Sequence, residues 1–109
     1  MVVKVKETRI TDELRKRLKL PSWIDGYETI VGKVISYNTK YGYDWKELET
    51  KKFQNDVSRI EKAGFTCVVI NSDDDNYLVA VKGPLDKMTD AQCKALFGTN
   101  DFQRADRMD

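Results

Sequence analysis

Asp73, Asp74 and Asp75 form the densest run of carboxylates in the chain, and such a run could hold Mg²⁺ or Ca²⁺ for a carboxylate-dependent metal enzyme. A calcium loop, however, sets its ligands at alternate positions around a central glycine and closes with a glutamate. Residues 73–81 contain neither the glycine nor the glutamate. The three aspartates are therefore expected at the solvated tip of a strand-to-strand turn, and no metal is assigned to them. Cys67 and Cys93 are the two thiols. A catalytic thiol needs a group that stabilises the thiolate, whereas Cys67 stands between Phe65 and the run Val68-Val69-Ile70, where burial makes a thiol inert. Both cysteines are expected to be free packing residues of a reducing compartment, with a disulfide between them as the alternative.

The chain has no histidine. That removes Ser-His-Asp and Cys-His nucleophilic catalysis, imidazole proton shuttles and every metal site that requires imidazole. Two cysteines are too few for an all-thiolate zinc site. The six glycines, at 26, 32, 42, 64, 83 and 98, never form the spacing of a phosphate-cradling or dinucleotide-binding loop. The sequence thus points away from an enzyme and implies no cofactor.

Two surfaces remain. Residues 1–20 hold seven Lys or Arg against three Asp or Glu, while the rest of the chain holds twelve against fifteen. Arg9, Arg15, Lys16, Arg17 and Lys19 form this basic patch, which suits phosphates or an acidic protein face. The second surface is the aromatic loop with Tyr37, Lys40, Tyr41, Tyr43 and Trp45. Tyr and Trp give large contact area at low entropic cost and also stack on unpaired bases. Tyr37 and Trp45, at the ends of elements, can instead close the core, which leaves Tyr41 and Tyr43, on either side of Gly42, as the expected exposed pair.

These surfaces favour a non-enzymatic binding protein that acts stoichiometrically on a macromolecule, with a protein partner first. A small, charged, histidine-free domain suits an inhibitor or adaptor, including the short accessory proteins of phages. The alternative is a nucleic-acid-binding module in which the basic helix meets phosphates and the loop tyrosines stack on bases. No ribonucleoprotein sheet motif, Gly-x-x-Gly clamp or helix-turn-helix spacing supports that alternative. The oligomeric state is left open.

The elements that position these residues are legible from periodicity and caps. At 109 residues, with 40% apolar and 34% charged residues and a net charge of +1, the chain suits one small domain with a thin core. No apolar run is long enough to span a bilayer and the N-terminus lacks a signal-type segment, so a cytoplasmic location without a membrane is expected. Val3 and Val5 alternating with lysines predict a first strand. Thr11 caps a helix with Asp12 and Glu13 in its first turn and a stop before Pro21. Residues 27–37 predict one β-branched strand, bulged or bent at Gly32. Asp44 and Glu47 form a capping pair for a helix carrying Leu48, Phe53, Val57, Ile60 and Ala63 inward, ended by Gly64. Residues 65–70 and 77–81 predict a hairpin of strands covered on both faces. Thr89 and Gln92 form a capping box for a short helix to Phe97, stopped at Gly98. The resulting fold is α+β in the order β-α-β-α-β-β-α, with helices on a largely antiparallel sheet, a domain over 1–98 and a loosely ordered polar tail over 99–109.

Overall fold

Each of the three α-helices among the described residues starts at a threonine whose hydroxyl caps it, at Thr11, Thr50 and Thr89. The structure is a computed structural model that describes residues 3–39, 42–44, 46–72 and 75–107. Its strands are β1 (Lys6–Arg9), β2 (Tyr27–Val31), β3 (Val34–Tyr37), β4 (Gly42–Tyr43), β5 (Thr66–Ser72), β6 (Asp75–Lys82) and β7 (Phe102–Arg104). The helices are α1 (Asp12–Leu18), α2 (Lys51–Lys62) and α3 (Asp90–Phe97), with single 3-10 turns at Glu47–Glu49, Leu85–Lys87 and Ala105–Arg107. All pairings are antiparallel, in the order β1-β2-β3-β6-β5-β7, and β4 joins β6 beside β3. This is the α+β architecture expected, with helices on an antiparallel sheet.

Alternation along the central strands explains the layers. Cys67 and Val69 on β5, with Leu78 and Ala80 on β6, face a cluster that contains Phe53 and Ile60 of α2 and is flanked by Leu14 and Leu18 of α1. Val68, Ile70, Val79 and Val81 point to the other face, where Leu96 of α3 completes a second cluster. Both faces of the central hairpin are therefore dry, which is why its strands read as nearly continuous apolar runs. The helices α1 and α2 share one face of the sheet, and α3 covers the other.

Local signals end the helices as expected. Thr89 Oγ1 accepts the N–H of Gln92 at 3.2 Å while Gln92 Oε1 accepts that of Thr89 at 2.9 Å, completing the capping box. After α2, Gly64 has φ +95. Its N–H reaches Glu61 O at 3.0 Å and that of Phe65 reaches Ile60 O at 3.3 Å, the paired bonds of a Schellman stop.

Four expectations require correction. The first strand forms at Lys6–Arg9, with its ladder to β2 running from Lys6 opposite Ile30 to Arg9 opposite Tyr27, and not over the Val3 and Val5 alternation. The strand expected over residues 27–37 is a hairpin. Gly32, at φ +60, opens the two-residue turn between Val31 and Val34, which fits the type II′ connection that suits strand twist. The helix expected from Asp44 is interrupted: Asp44 Oδ1 accepts the N–H of Glu47 at 2.9 Å, but the turn lasts only to Glu49. Thr50, in extended conformation, recaps the chain by accepting the N–H of Phe53 at 3.3 Å. Leu48 and Phe53 would stand about 140° apart on an unbroken helix, and the break lets both reach the same cluster. Finally, the expected polar tail supplies β7, which pairs Phe102–Arg104 with Val68–Ile70 of β5. Phe102 packs against Phe97 with ring centroids 4.7 Å apart and planes tilted by 51°, and Arg104 binds Asp86 at 3.3 Å and Asp106 at 2.9 Å. An uncovered β5 would expose a row of unpaired backbone groups, and β7 covers its middle, Val68–Ile70.

Candidate functional site

The basic patch begins with a helix cap. Thr11 Oγ1 accepts the N–H of Leu14 at 3.1 Å, and Lys19, in left-handed conformation at φ 60, ends the helix. Leu14 and Leu18 turn inward, so Lys16, Arg17 and Lys19 stand exposed around them. Arg15 belongs to the scaffold instead: its guanidinium donates to Ile24 O at 3.3 Å and pairs with Asp12, tying α1 to the segment before β2. Arg9 is separated from the helix altogether. It lies opposite Tyr27 in the ladder, and Tyr27 has the parity of Val31, which faces the α3 side of the sheet.

The aromatic surface changes more. Lys40, Tyr41 and Trp45 lie outside the described residues, as do Asp73 and Asp74. Tyr37 is buried with its ring edge-on to Phe65 at 5.6 Å and closes the core. Burial, together with a hydrogen bond to Glu28, pushes its phenol pKa up.

Tyr43, expected to be exposed, is fully buried. The cause is β4, a two-residue strand with no periodicity of its own, which pairs Gly42 and Tyr43 with Tyr77 and Asn76 of β6. Asn76 Nδ2 donates to Tyr43 O at 3.3 Å, and the Tyr43 ring meets Phe53 edge-on at 5.4 Å. Its hydroxyl donates to the buried carboxylate of Asp56. Lys52 Nζ reaches Asp56 Oδ2 at 3.1 Å and Tyr43 Oη at 3.3 Å. Burial followed by the Asp56 contact raises the Tyr43 pKa, so the phenol is held protonated as a donor. At Lys52, desolvation pulls the pKa down, but the bonds to Asp56 and Tyr43 outweigh it and the ammonium is stabilised.

This trio fastens β4 to α2 through a buried carboxylate. Tyr43→Phe removes one donor from that carboxylate and is expected to cost about 1–3 kcal/mol. Asp56→Asn, which keeps an acceptor for the phenol, should cost less than Asp56→Ala. Urea unfolding of the three variants checks the order.

The two cysteines are free and buried, as expected. Burial pushes the Cys67 thiol up to about 12 and also raises that of Cys93, the opposite of what a nucleophilic thiol requires. Among the described residues no three His, Cys, Asp or Glu side chains converge as a metal site, and no helix is long and apolar enough to cross a membrane.

What the fold does bring together is positive charge on one layer. Residues 10–20 and 51–62 together hold eight Lys or Arg and four Asp or Glu, whereas the rest of the chain, Arg9 included, holds eleven and fourteen. Both segments carry the helices that share one face of the sheet. One of the four acids, Asp56, is buried under Tyr43 and Lys52. The α2 contribution was not singled out from sequence, although a charge count over residues 51–62 contains it. None of the family models, curated proteins or solved structures compared with the chain matches it, and the functional reading rests on these residues.

Proposed function

We propose that the chain is a non-enzymatic binding protein that acts stoichiometrically, as an inhibitor or adaptor, on a macromolecular partner carrying negative charge. The α1–α2 layer is the contact surface. The observation that carries this reading is the segregation of charge by layer: a molecule of net charge +1 has no strong overall field, so attraction must come from a local patch. Exposed Lys16, Arg17 and Lys19 on α1 and Lys51, Arg59 and Lys62 on α2 supply it. Tyr37 and Tyr43 are core residues and offer a partner no aromatic surface. Two free thiols support action in a reducing, cytoplasmic setting.

Affinity capture from extracts of the source cells, at low and high salt, tests the reading. The wild-type chain should retain a partner in fixed ratio. Lys16→Glu with Arg17→Glu, and separately Arg59→Glu with Lys62→Glu, should reduce recovery at least about tenfold, equivalent to 1.4 kcal/mol. Lys94→Glu, an exposed site on α3, should not. Equal retention by all variants would contradict the assignment of the surface.

A further inference from the structure

We infer that the outer face of α2 is a phosphate-binding ridge for duplex nucleic acid, a reading that rests on the binding function proposed above and specifies its partner. At about 100° per residue, Lys51, Asn55, Ser58, Arg59 and Lys62 fall within an arc of about 100°. That arc lies opposite Phe53 and Ile60, which are buried in the core. At 1.5 Å per residue the row from Lys51 to Lys62 runs about 16 Å. Its cations therefore recur along a straight ridge, as a series of backbone phosphates requires.

The charges of this ridge are uncommitted. The ion pairs among the described residues join Arg15 to Asp12, Lys52 to Asp56, and Arg104 to Asp86 and Asp106. Lys51, Arg59 and Lys62 take part in none of them. A shallow open groove runs along this helix, lined by Lys52, Asn55, Asp56, Ser58, Arg59 and Lys62. Its single acid, Asp56, already accepts from Tyr43 and Lys52.

The composition of the ridge selects among polyanions. Protein hot spots centre on aromatic or Arg anchors seated in desolvated pockets, and single strands need aromatic stacking platforms. The ridge has no aromatic residue. It offers Lys and Arg interleaved with one amide and one hydroxyl, the groups that contact phosphate oxygens without reading sequence. The α1 cations Lys16, Arg17 and Lys19 lie on the same layer and add long-range attraction.

Fluorescence anisotropy with short labelled duplexes, two unrelated DNA sequences and one RNA, tests the proposal between about 50 and 200 mM salt. Binding should be indifferent to DNA sequence and fall linearly in log–log form with salt. Lys51→Gln, Arg59→Gln and Lys62→Gln combined should weaken all duplexes alike and reduce the salt slope by about 2 to 3, near 0.9 per lost phosphate contact. Lys94→Gln should leave the slope unchanged, and far-UV circular dichroism checks that each variant is folded. A preference between the DNA and RNA probes identifies the source of the phosphodiester backbone. Absence of binding to any duplex at about 50 mM salt, or an unaltered slope in the triple variant, overturns the ridge. If the captured partner is instead an acidic protein lost from the Arg59→Glu, Lys62→Glu variant, the ridge proposal fails while the broader binding function stands.

Discussion

Deleting residues 99–109 is expected to destabilise the protein by about 3 kcal/mol or more and to make it aggregate. The deletion removes β7 from β5, strips Phe102 from Phe97 and breaks the Arg104 pair with Asp86. Loss of a fully buried phenylalanine costs about 3–5 kcal/mol, and half-buried Phe102 contributes a smaller share to which the lost ladder and ion pair add. Three residues of ladder also cease to cover a strand whose side chains are buried on both faces. The newly open edge of β5 is apolar and extended, the condition under which sheets pair with other chains. Urea unfolding measures the first effect and light scattering the second. A chain ending at Gly98 that unfolds at the wild-type midpoint would mean that β7 contributes nothing.

Gly83→Ala should be at least as damaging, because two penalties coincide there. Gly83 has φ +117, a conformation that L side chains rarely adopt. A Cβ at this position would also lie 2.5 Å from Lys33 O and 3.0 Å from Val34 Cα. Both neighbours are backbone of the β2–β3 hairpin and cannot rotate away, so β6 must be displaced from β3. A loss of about 3–5 kcal/mol follows, the range in which a protein of this size scarcely folds. Gly98→Ala is the control. It has φ +79 but nothing within 4 Å of the added carbon, so only the left-handed conformation is penalised, at about 1–2 kcal/mol. Near-equal losses at the two positions would show that the close approach of Gly83 to the hairpin does not contribute.

What the sequence disclosed and what it concealed divide by the range of the interaction. Thr11, Gly64, and Thr89 with Gln92 act within a turn or two of the backbone and cap where their residue types predict, whereas Asp44 with Glu47 caps a single 3-10 turn and Thr50 starts α2. The dry hairpin of β5 and β6 was equally legible, since burial on both faces leaves no polar residue in its middle. By contrast, β4 and β7 exist because β6 and β5 offer unpaired edges, and no pattern within two or three residues can announce that. Gly32 shows the same limit: a bulge and a tight turn both use a glycine, and only the pairing of Val31 with Val34 decides between them.

The candidate surface follows the same division. The excess of Lys and Arg on α1 is contiguous and visible in a twenty-residue window. On α2 the excess is masked by Asp56, whose carboxylate is withdrawn into the core by a tyrosine thirteen residues away in sequence. Arg9 and Arg15 illustrate the converse, as equal members of the basic run that the fold assigns to the far face of the sheet and to the scaffold. Tyr43, beside a loop glycine, has the sequence context of an exposed aromatic, and only its pairing with Asn76 buries it.

Backbone amide chemical-shift mapping tests most directly whether the α1–α2 layer is the contact surface. Isotope-labelled protein would be titrated with a short DNA duplex and, in parallel, with polyglutamate. With whichever polymer binds, shifts should concentrate on Lys16–Lys19 and along Lys51–Lys62, leaving α3 and β1 undisturbed. Shifts centred on α3, β1 or the outer edge of β7, with α1 and α2 silent, would contradict that assignment.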